Sequence, residues 1–385
     1  MTTVWDELVG QEPVVEVLQR AVAATTSGGS GMTHAWLFTG PPGSGRSNAA
    51  RAFAAALQCE RGTGCGECHS CVTARAGSHP DITLISTQGL SIGTEQAREV
   101  VRAASLHPSS GRWQVLVVED ADRLTDQAAN ALLKAIEEPP AHTVWMLCAP
   151  AVEDVIVTIR SRCRSVVLRT PPVGAVARLL VERDGIDAQV AREAAQASQG
   201  HVGRARALAT KDEVRRRRRE ILELAGSLRT PGSCLRAAST IHDLAADHAK
   251  ELADTADAKE LADLRAGWGV EERGKRPSGY AGALSALEKE QKRRRTRLSR
   301  DAIDGMLLDL LSFQRDVLAV QLGTVTDPSA LVNADVADVV RSAASLGTAE
   351  STLRRVDAIL ECRESVAANA APLLCLERMM LALAA

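Results

Sequence analysis

At 385 residues and a formal charge of -2, the chain is too long for one ordinary core and too nearly neutral for a dedicated nucleic-acid binder. Two or three domains are expected, and any DNA contact has to be local. Aromatic residues make up only 2%, with Tyr280 the sole tyrosine, which disfavours a base-stacking single-strand binder, while abundant alanine and leucine favour helices. No run of about 18 apolar residues offers a membrane span, and residues 1–11 carry no signal-peptide core, so a soluble, cytoplasmic protein without membrane contact is expected.

In chain order, the first informative unit is a short apolar strand at 34–39, then Gly40-Pro41-Pro42-Gly43-Ser44-Gly45-Arg46-Ser47, then an alanine-rich helix over 47–58. Strand, loop and helix are the context that a phosphate-binding P-loop, G-x-x-x-x-G-K-[ST], requires. In such a loop the glycines, here Gly40, Gly43 and Gly45, let backbone N–H groups wrap the phosphates. The lysine reaches the β/γ-phosphates and the hydroxyl, here Ser47, ligates Mg2+. Arg46 stands where the lysine belongs. It keeps the charge but replaces a compact ammonium with a planar fork, so a nucleotide-binding fold without efficient hydrolysis is expected.

Cys59, Cys65, Cys68 and Cys71 follow with the spacing C-x5-C-x2-C-x2-C and glycines at 62, 64 and 66. Four thiolates at this spacing can close a tetrahedral zinc site, structural rather than catalytic because no position is left for water. Two disulfides or an iron–sulfur cluster are the competing uses. His69, between two better-spaced cysteines, is expected outside the ligand set. The scattered Cys148, Cys163, Cys234, Cys362 and Cys375 read as small buried hydrophobes.

Residues 112–118 form a buried-strand run ending at Glu119-Asp120, where a Walker B pair of magnesium-holding and water-polarising carboxylates would stand. The usual order is Asp-Glu. The inversion displaces each carboxylate by about one methylene, and a misplacement near 1 Å can cost about a hundredfold in rate. Thr125 is a candidate N-cap for a helix that ends before Pro139-Pro140, with Ala129, Leu132, Leu133 and Ile136 as its buried stripe and Lys134 and Glu137 facing outward or a partner. A strand at 143–147 precedes Pro150, which offers no N–H.

After Thr170 the strand signals vanish. Pro171-Pro172 marks a linker, residues 175–208 read as three short helices, and the remainder is helical. The run Arg215 to Arg219 reads as a solvated helix face. Residues 265–300 hold Gly267, Gly269, Gly274, Pro277, Gly279 and Gly282 and a basic block from Lys292 to Arg297, and form either a flexible excursion or a long helical hairpin. For the basic block a solvated face or a partner contact is preferred to DNA.

Together these segments resemble the clamp-loader family of the AAA+ class in bacterial DNA polymerase III, and most closely its stator branch. The resemblance rests on Val4-Trp5-Asp6-Glu7-Leu8-Val9-Gly10-Gln11, the P-loop, the four-cysteine insert, Ser91 to Arg98, Asn130 to Pro139 and Ser161-Arg162-Cys163, and covers roughly residues 1–210. It implies an α/β P-loop AAA+ core over 1–170 with a zinc module at 59–71, a three-helix lid over 171–212, and an all-helical collar over 213–385 through which subunits assemble. In the family the Ser-Arg-Cys arginine, matched by Arg162, reaches in trans to a γ-phosphate held by a neighbouring subunit. Gly200 to Arg206 resembles the second-sensor helix, so Arg204 is expected either to face a nucleotide phosphate or to serve a structural role. Arg46, Glu119-Asp120 and Pro150 depart from the family pattern together, implying a subunit that lends an arginine without turning over its own ATP. The implied partners are the tau/gamma and delta subunits in a hetero-oligomer, with the sliding clamp and primer–template DNA reached through that complex in a nucleoid-associated replisome. The implied ligands are structural zinc and, if the degenerate loop binds nucleotide, ATP or ADP with Mg2+. An ATP-hydrolysing tau/gamma-type motor is the alternative, and a zinc-dependent nucleic-acid-binding module is a further one.

Overall fold

A computed structural model describes residues 3–27, 31–87, 89–270 and 277–384 of the chain. It divides into two compact units, residues 1–209 and 210–385, each taken here by itself.

The first unit is built on five parallel strands in the order β2-β3-β4-β1-β5: β1 (Ala35–Thr39), β2 (Ile82–Ile85), β3 (Gln114–Val118), β4 (Thr143–Ala149) and β5 (Arg164–Val167). Successive side chains of a strand point to opposite faces, and here both faces are covered, so the central strands β1, β3 and β4 are buried throughout and mostly apolar. Trp36, Phe38, Val115, Val117, Val144 and Met146 face one core with α1 (Glu12–Ser27) and α2 (Arg46–Gln58). Ala35, Leu37, Leu116, Trp145 and Leu147 face the other with α4 (Thr94–Ala104) and α5 (Asp126–Glu137). Trp36 meets Phe53 edge to face at 5.0 Å, and truncating a fully buried aromatic of this kind costs about 3–5 kcal/mol. Strand β4 runs two residues beyond the expected 147, because Cys148 and Ala149 continue the ladder opposite Phe38 and Thr39.

The short α3 (His69–Arg75) follows the cysteine loop, and α6 (Val157–Arg160) leads into β5. After the sheet come α7 (Val173–Glu182), α8 (Ala188–Ala197) and α9 (Val202–Thr210). Among the described residues no strand follows Val167.

The second unit is helical, with α10 (Asp212–Ser227), α11 (Pro231–Gly267), α12 (Tyr280–Gln321), α13 (Ala337–Ser345), α14 (Ala349–Ala367) and α15 (Pro372–Ala384). Ile241, Ala245, Leu307, Ile359 and Met380 belong to its main core. The expectation of a solvated face for Arg215 to Arg219 fails at Arg217 and Arg218, which are buried. Arg218 donates from Nε to Asp309 at 2.9 Å and contacts Asp335 at 3.3 Å, and it also bonds the Asn333 side chain. Asp309 comes from α12, a partner 91 positions away that composition along α10 does not reveal. Removing one member of such a buried pair strands a charge and costs about 3–5 kcal/mol.

Of the two forms open for 265–300, the described residues form a helical hairpin. Gly282 lies inside α12, whereas Gly274 falls outside the described residues. The hairpin is closed by Trp268 against Tyr280, edge to face at 6.3 Å.

Candidate functional site

The predicted P-loop joins β1 to α2 as expected. Gly43 and Gly45 adopt φ of +84° and +91°, the left-handed region where a side chain is strained. The Gly40 N–H donates to the Pro150 carbonyl at 3.1 Å and the Ser44 N–H to the Pro41 carbonyl at 3.0 Å. Pro150, noted in the sequence for the N–H it lacks, thus anchors the loop through its oxygen. The first N–H groups of α2 have no intrahelical acceptor, so the loop ends in an anion-attracting terminus.

Arg46 does not project from this cradle. Its Nη1 donates back to the Gly40 carbonyl at 2.9 Å, spanning the loop from end to start. Opposite, the His201 ring lies over Gly43 so closely that a Cβ there would meet ring atoms at 2.5 to 2.6 Å. Burial lowers the His201 imidazole below its ordinary value, with the Arg204 cation acting in the same sense. The remaining space beside Gly43 to Asn48, bounded by Leu8 and Val9, is a cavity of about 260 Å3, slightly below the usual range of small-ligand pockets, about 300–1,000 Å3.

The two carboxylates after β3 are both engaged. Glu119 accepts from Arg51 Nε at 2.7 Å, across the sheet edge from α2. Asp120 accepts from the Thr87 N–H at 3.2 Å. Arg204 lies at the start of α9, where its N–H donates to His201 Nδ1 at 3.2 Å. Burial pushes the Cys148 thiol up to about 12, with Glu119 adding to the rise, which leaves it a packed apolar group. Cys163 is likewise pushed up to about 12 by burial.

Arg162 lies between α6 and β5, with its side chain 38% exposed. Nη1 donates to the Thr158 carbonyl at 2.7 Å and to Ser161 Oγ at 3.1 Å, and Nη2 meets Glu137 at 2.5 Å. Glu137 closes α5, so a side chain read from the sequence as facing outward or a partner supplies the carboxylate holding this guanidinium. Of its neighbours, Arg164 pairs with no carboxylate among the described residues. It donates to the Gly31 carbonyl at 2.7 Å and stacks over Trp36 at 5.1 Å.

The four cysteines converge, each offering its sulfur within 4.8 Å of the other three. Cys59 and Cys65 sulfurs are 3.7 Å apart and Cys59 and Cys68 sulfurs 4.0 Å. A tetrahedral ion with metal–sulfur bonds near 2.3 Å sets its ligands about 3.8 Å apart, so one zinc-sized ion fits. A disulfide needs sulfurs at about 2.05 Å, and an iron–sulfur cluster sets several atoms between its thiolates. The N–H groups of Cys65 and Cys68 point at the sulfurs of Cys59 and Cys65 at 3.5 and 3.4 Å. Burial alone would raise the Cys59 thiol, but the N–H groups of Cys65, Thr63, Arg61 and Gly64 outweigh it and bring the thiol down to about 6. The opening segment supports this loop: Trp5 Nε1 donates to the Thr63 carbonyl at 3.0 Å and the Val4 N–H to Gly64 at 3.0 Å.

Three residues that contact the loop or its neighbours were not singled out in the sequence: Arg51, and His201 and Gln11, which entered only as members of longer segments. Gln11 is buried and stitches the loop to the strand end, donating to the Ser44 and Arg169 carbonyls at 3.2 and 2.6 Å. Their partners lie from 33 to 158 positions away, beyond any spacing rule.

A family model described as DNA polymerase III, delta subunit, matches residues 10–172. The DNA polymerase III subunit delta' of Escherichia coli (strain K12) is 41% identical over 144 residues, 36% of this chain and 43% of that protein. The gamma/tau subunit of Mycobacterium bovis is 34% identical over 187 residues, 47% of this chain and 32% of the relative. The tau subunit of Bacillus subtilis (strain 168) is 32% identical over 163 residues, 42% of this chain and 28% of the relative. The chain thus spans less than half the length of each. No helix among the described residues is long and apolar enough to cross a membrane. Residues 10–172, which hold the P-loop, the cysteine cluster, the carboxylate strand and Arg162, are thus similar to subunits of bacterial DNA polymerase III.

Proposed function

We propose that the chain is the delta-prime, or stator, subunit of the clamp loader, helping to place the sliding clamp on primed DNA during replication. Its own ATP site is degenerate, and its contribution to catalysis is Arg162, offered in trans to the nucleotide of a neighbouring tau/gamma subunit. The observation that carries this reading is a contrast between two arginines. Arg46, in the lysine position, is turned onto the carbonyl of its own Gly40, whereas Arg162 is half exposed and oriented by Thr158, Ser161 and Glu137. A guanidinium delivered to developing phosphoryl charge is worth about 10³ to 10⁵ in rate.

In this reading residues 171–212 act as the lid and 213–385 as the collar that joins the hetero-oligomer, with tau/gamma and delta as partners in the cytoplasm. Arg204 stands by the nucleotide pocket without a working site to sense. Zn2+ is the proposed occupant of the cysteine cluster, holding the insert and, through Trp5 and Val4, the opening segment. Mg2+ enters only with a bound nucleotide.

The test is reconstitution of the loader with Arg162→Ala. DNA-stimulated ATPase and clamp loading are expected to fall by at least two orders of magnitude, and normal rates would remove the trans arginine from the account. The second reading, a tau/gamma-type motor, is favoured by the gamma/tau relative at 34% identity. It requires ATP turnover by the isolated chain. Calorimetry and phosphate release on wild type and Arg46→Lys separate the two readings: the stator reading expects no wild-type turnover, and binding without turnover in the variant.

A further inference from the structure

The hairpin of α11 and α12 sorts its charges by face. On its inner side Arg294 contacts Asp257 and Glu260, each at 2.5 Å, and Arg295 contacts Asp257 at 2.7 Å and Asp254 at 3.6 Å. Gln291 donates to the Asp257 carbonyl at 3.1 Å and fixes the same register. At 100° per residue, Gln291, Arg294 and Arg295 define the α12 face towards α11. Lys289 and Arg293 fall on the opposite face and Lys292 on its flank, and all three are exposed. Among the described residues none of the three has an ion-pair partner, while the acidic groups of α11 nearest the hairpin axis are taken by Arg294 and Arg295. Arg297 continues the outer stripe one turn on, bridging to Asp301 at 3.4 Å. The stripe ends where Arg300 bonds the Asn369 side chain.

Like charges at i and i+4 destabilise a helix by about 0.2–0.5 kcal/mol a pair, and Lys289 and Arg293 stand at that spacing. Exposed Glu288 and Glu290 lie beside these cations, but the face keeps a net positive charge, which a polyanion compensates. From these observations we infer that the outer face of α12 is a docking surface for the phosphate backbone of duplex DNA. The stripe carries no aromatic side chain, so it lacks the stacking platform that single strands use. A rigid helix with cations about 6 Å apart matches a regular array of phosphates instead. The surface belongs to the second unit and is independent of the stator reading, which stands or falls on Arg162.

The experiment measures binding of the full chain to a short DNA duplex by fluorescence anisotropy across a salt series. A variant carrying Lys289→Ser, Lys292→Ser and Arg293→Ser is compared with one carrying Lys250→Ser, Lys259→Ser and Arg265→Ser, exposed cations of α11. Circular dichroism confirms that both variants are folded. Three phosphate contacts contribute about 2.7 to the slope of log K against log salt, so the α12 variant is expected to lose that much slope. Between 50 and 200 mM salt the wild type then loses roughly 40-fold more affinity than the α12 variant does. The α11 variant is expected to keep the wild-type slope. An unchanged slope in the α12 variant, an equal loss in the α11 variant, or preference for a single strand of the same sequence would each overturn the inference. So would a wild-type chain that binds anionic vesicles or an acidic polypeptide but no duplex.

Discussion

The two ends of α2 carry opposite kinds of site. At its N-terminus the P-loop has turned its charge inward: Arg46 is bonded to Gly40, Arg51 to Glu119, and His201 lies over Gly43. At its C-terminus Cys59 caps the helix and joins three other sulfurs spaced for one ion. The same helix therefore starts at a loop whose arginine is bonded back onto its own backbone and ends at a loop whose four sulfurs are gathered within reach of one another. A metal site requires donors that are gathered, and the four sulfurs meet that condition; a phosphate cradle requires donors that stay available, and at the P-loop the Arg46 side chain is engaged while the first N–H groups of α2 have no intrahelical acceptor.

The strongest test of that contrast acts on the cysteines. Cys71→Ser removes a buried sulfur from the cluster, so one equivalent of zinc in the purified wild type is expected to fall to none in the variant by mass spectrometry. Structural zinc contributes folding free energy directly. A loss of about 3 kcal/mol would lower the melting temperature of the first unit by roughly 6–12 °C in calorimetry. An equal metal content in the variant would break the comparison at this end.

A smaller effect is expected from glycines in the two loops. Gly43→Ala adds left-handed strain, about 1–2 kcal/mol, to a collision with His201, so about 3 kcal/mol is expected from urea unfolding. Gly62→Ala, in the cysteine loop, has φ of +68° but no atom within 4 Å of the added Cβ, so only the strain of about 1–2 kcal/mol should appear. His201→Ala made in the Gly43→Ala background should recover the excess, a coupling that a double-mutant cycle isolates. Equal costs at the two glycines would mean that His201 does not close the P-loop.

How much of this was legible in the sequence follows from how local each signal is. The P-loop, the four cysteines, the Glu119 strand and the capped helix from Asp126 each lie within a dozen or so residues, so their spacing shows that each segment forms a local unit. Thr125, for example, does cap α5, accepting from the Ala128 N–H at 3.2 Å. What the sequence could not supply is which distant group satisfies which charge. Glu119 meets Arg51 from 68 positions away, and Arg218 leaves an apparently solvated run to meet Asp309 across 91. Glu137 was readable as a helix end, but not as the carboxylate that holds Arg162, because that contact exists only once β4 has carried the chain back to α6.

The smallest expected effect concerns pH, and it probes the closed end alone. His201 is held neutral by burial, with its folded value below the ordinary 6.5. Between those two values the unfolded chain binds more protons than the folded one, so stability rises with pH. The His201 contribution is therefore fully present above about pH 6.5 and is lost as the pH falls through the folded value. His201→Gln abolishes the titration, so the difference in unfolding free energy between wild type and variant should shrink by at most about 1 kcal/mol on moving from about pH 7.5 to about pH 5.5. Acid also strips metal from thiolates, because protons compete for the sulfurs, and a pH profile of the wild type alone would mix the two ends of α2. Both proteins keep the four cysteines and lose metal alike. Any pH dependence that survives in the difference belongs to the P-loop end, and a difference that is flat with pH would show that the imidazole is not held neutral against Gly43.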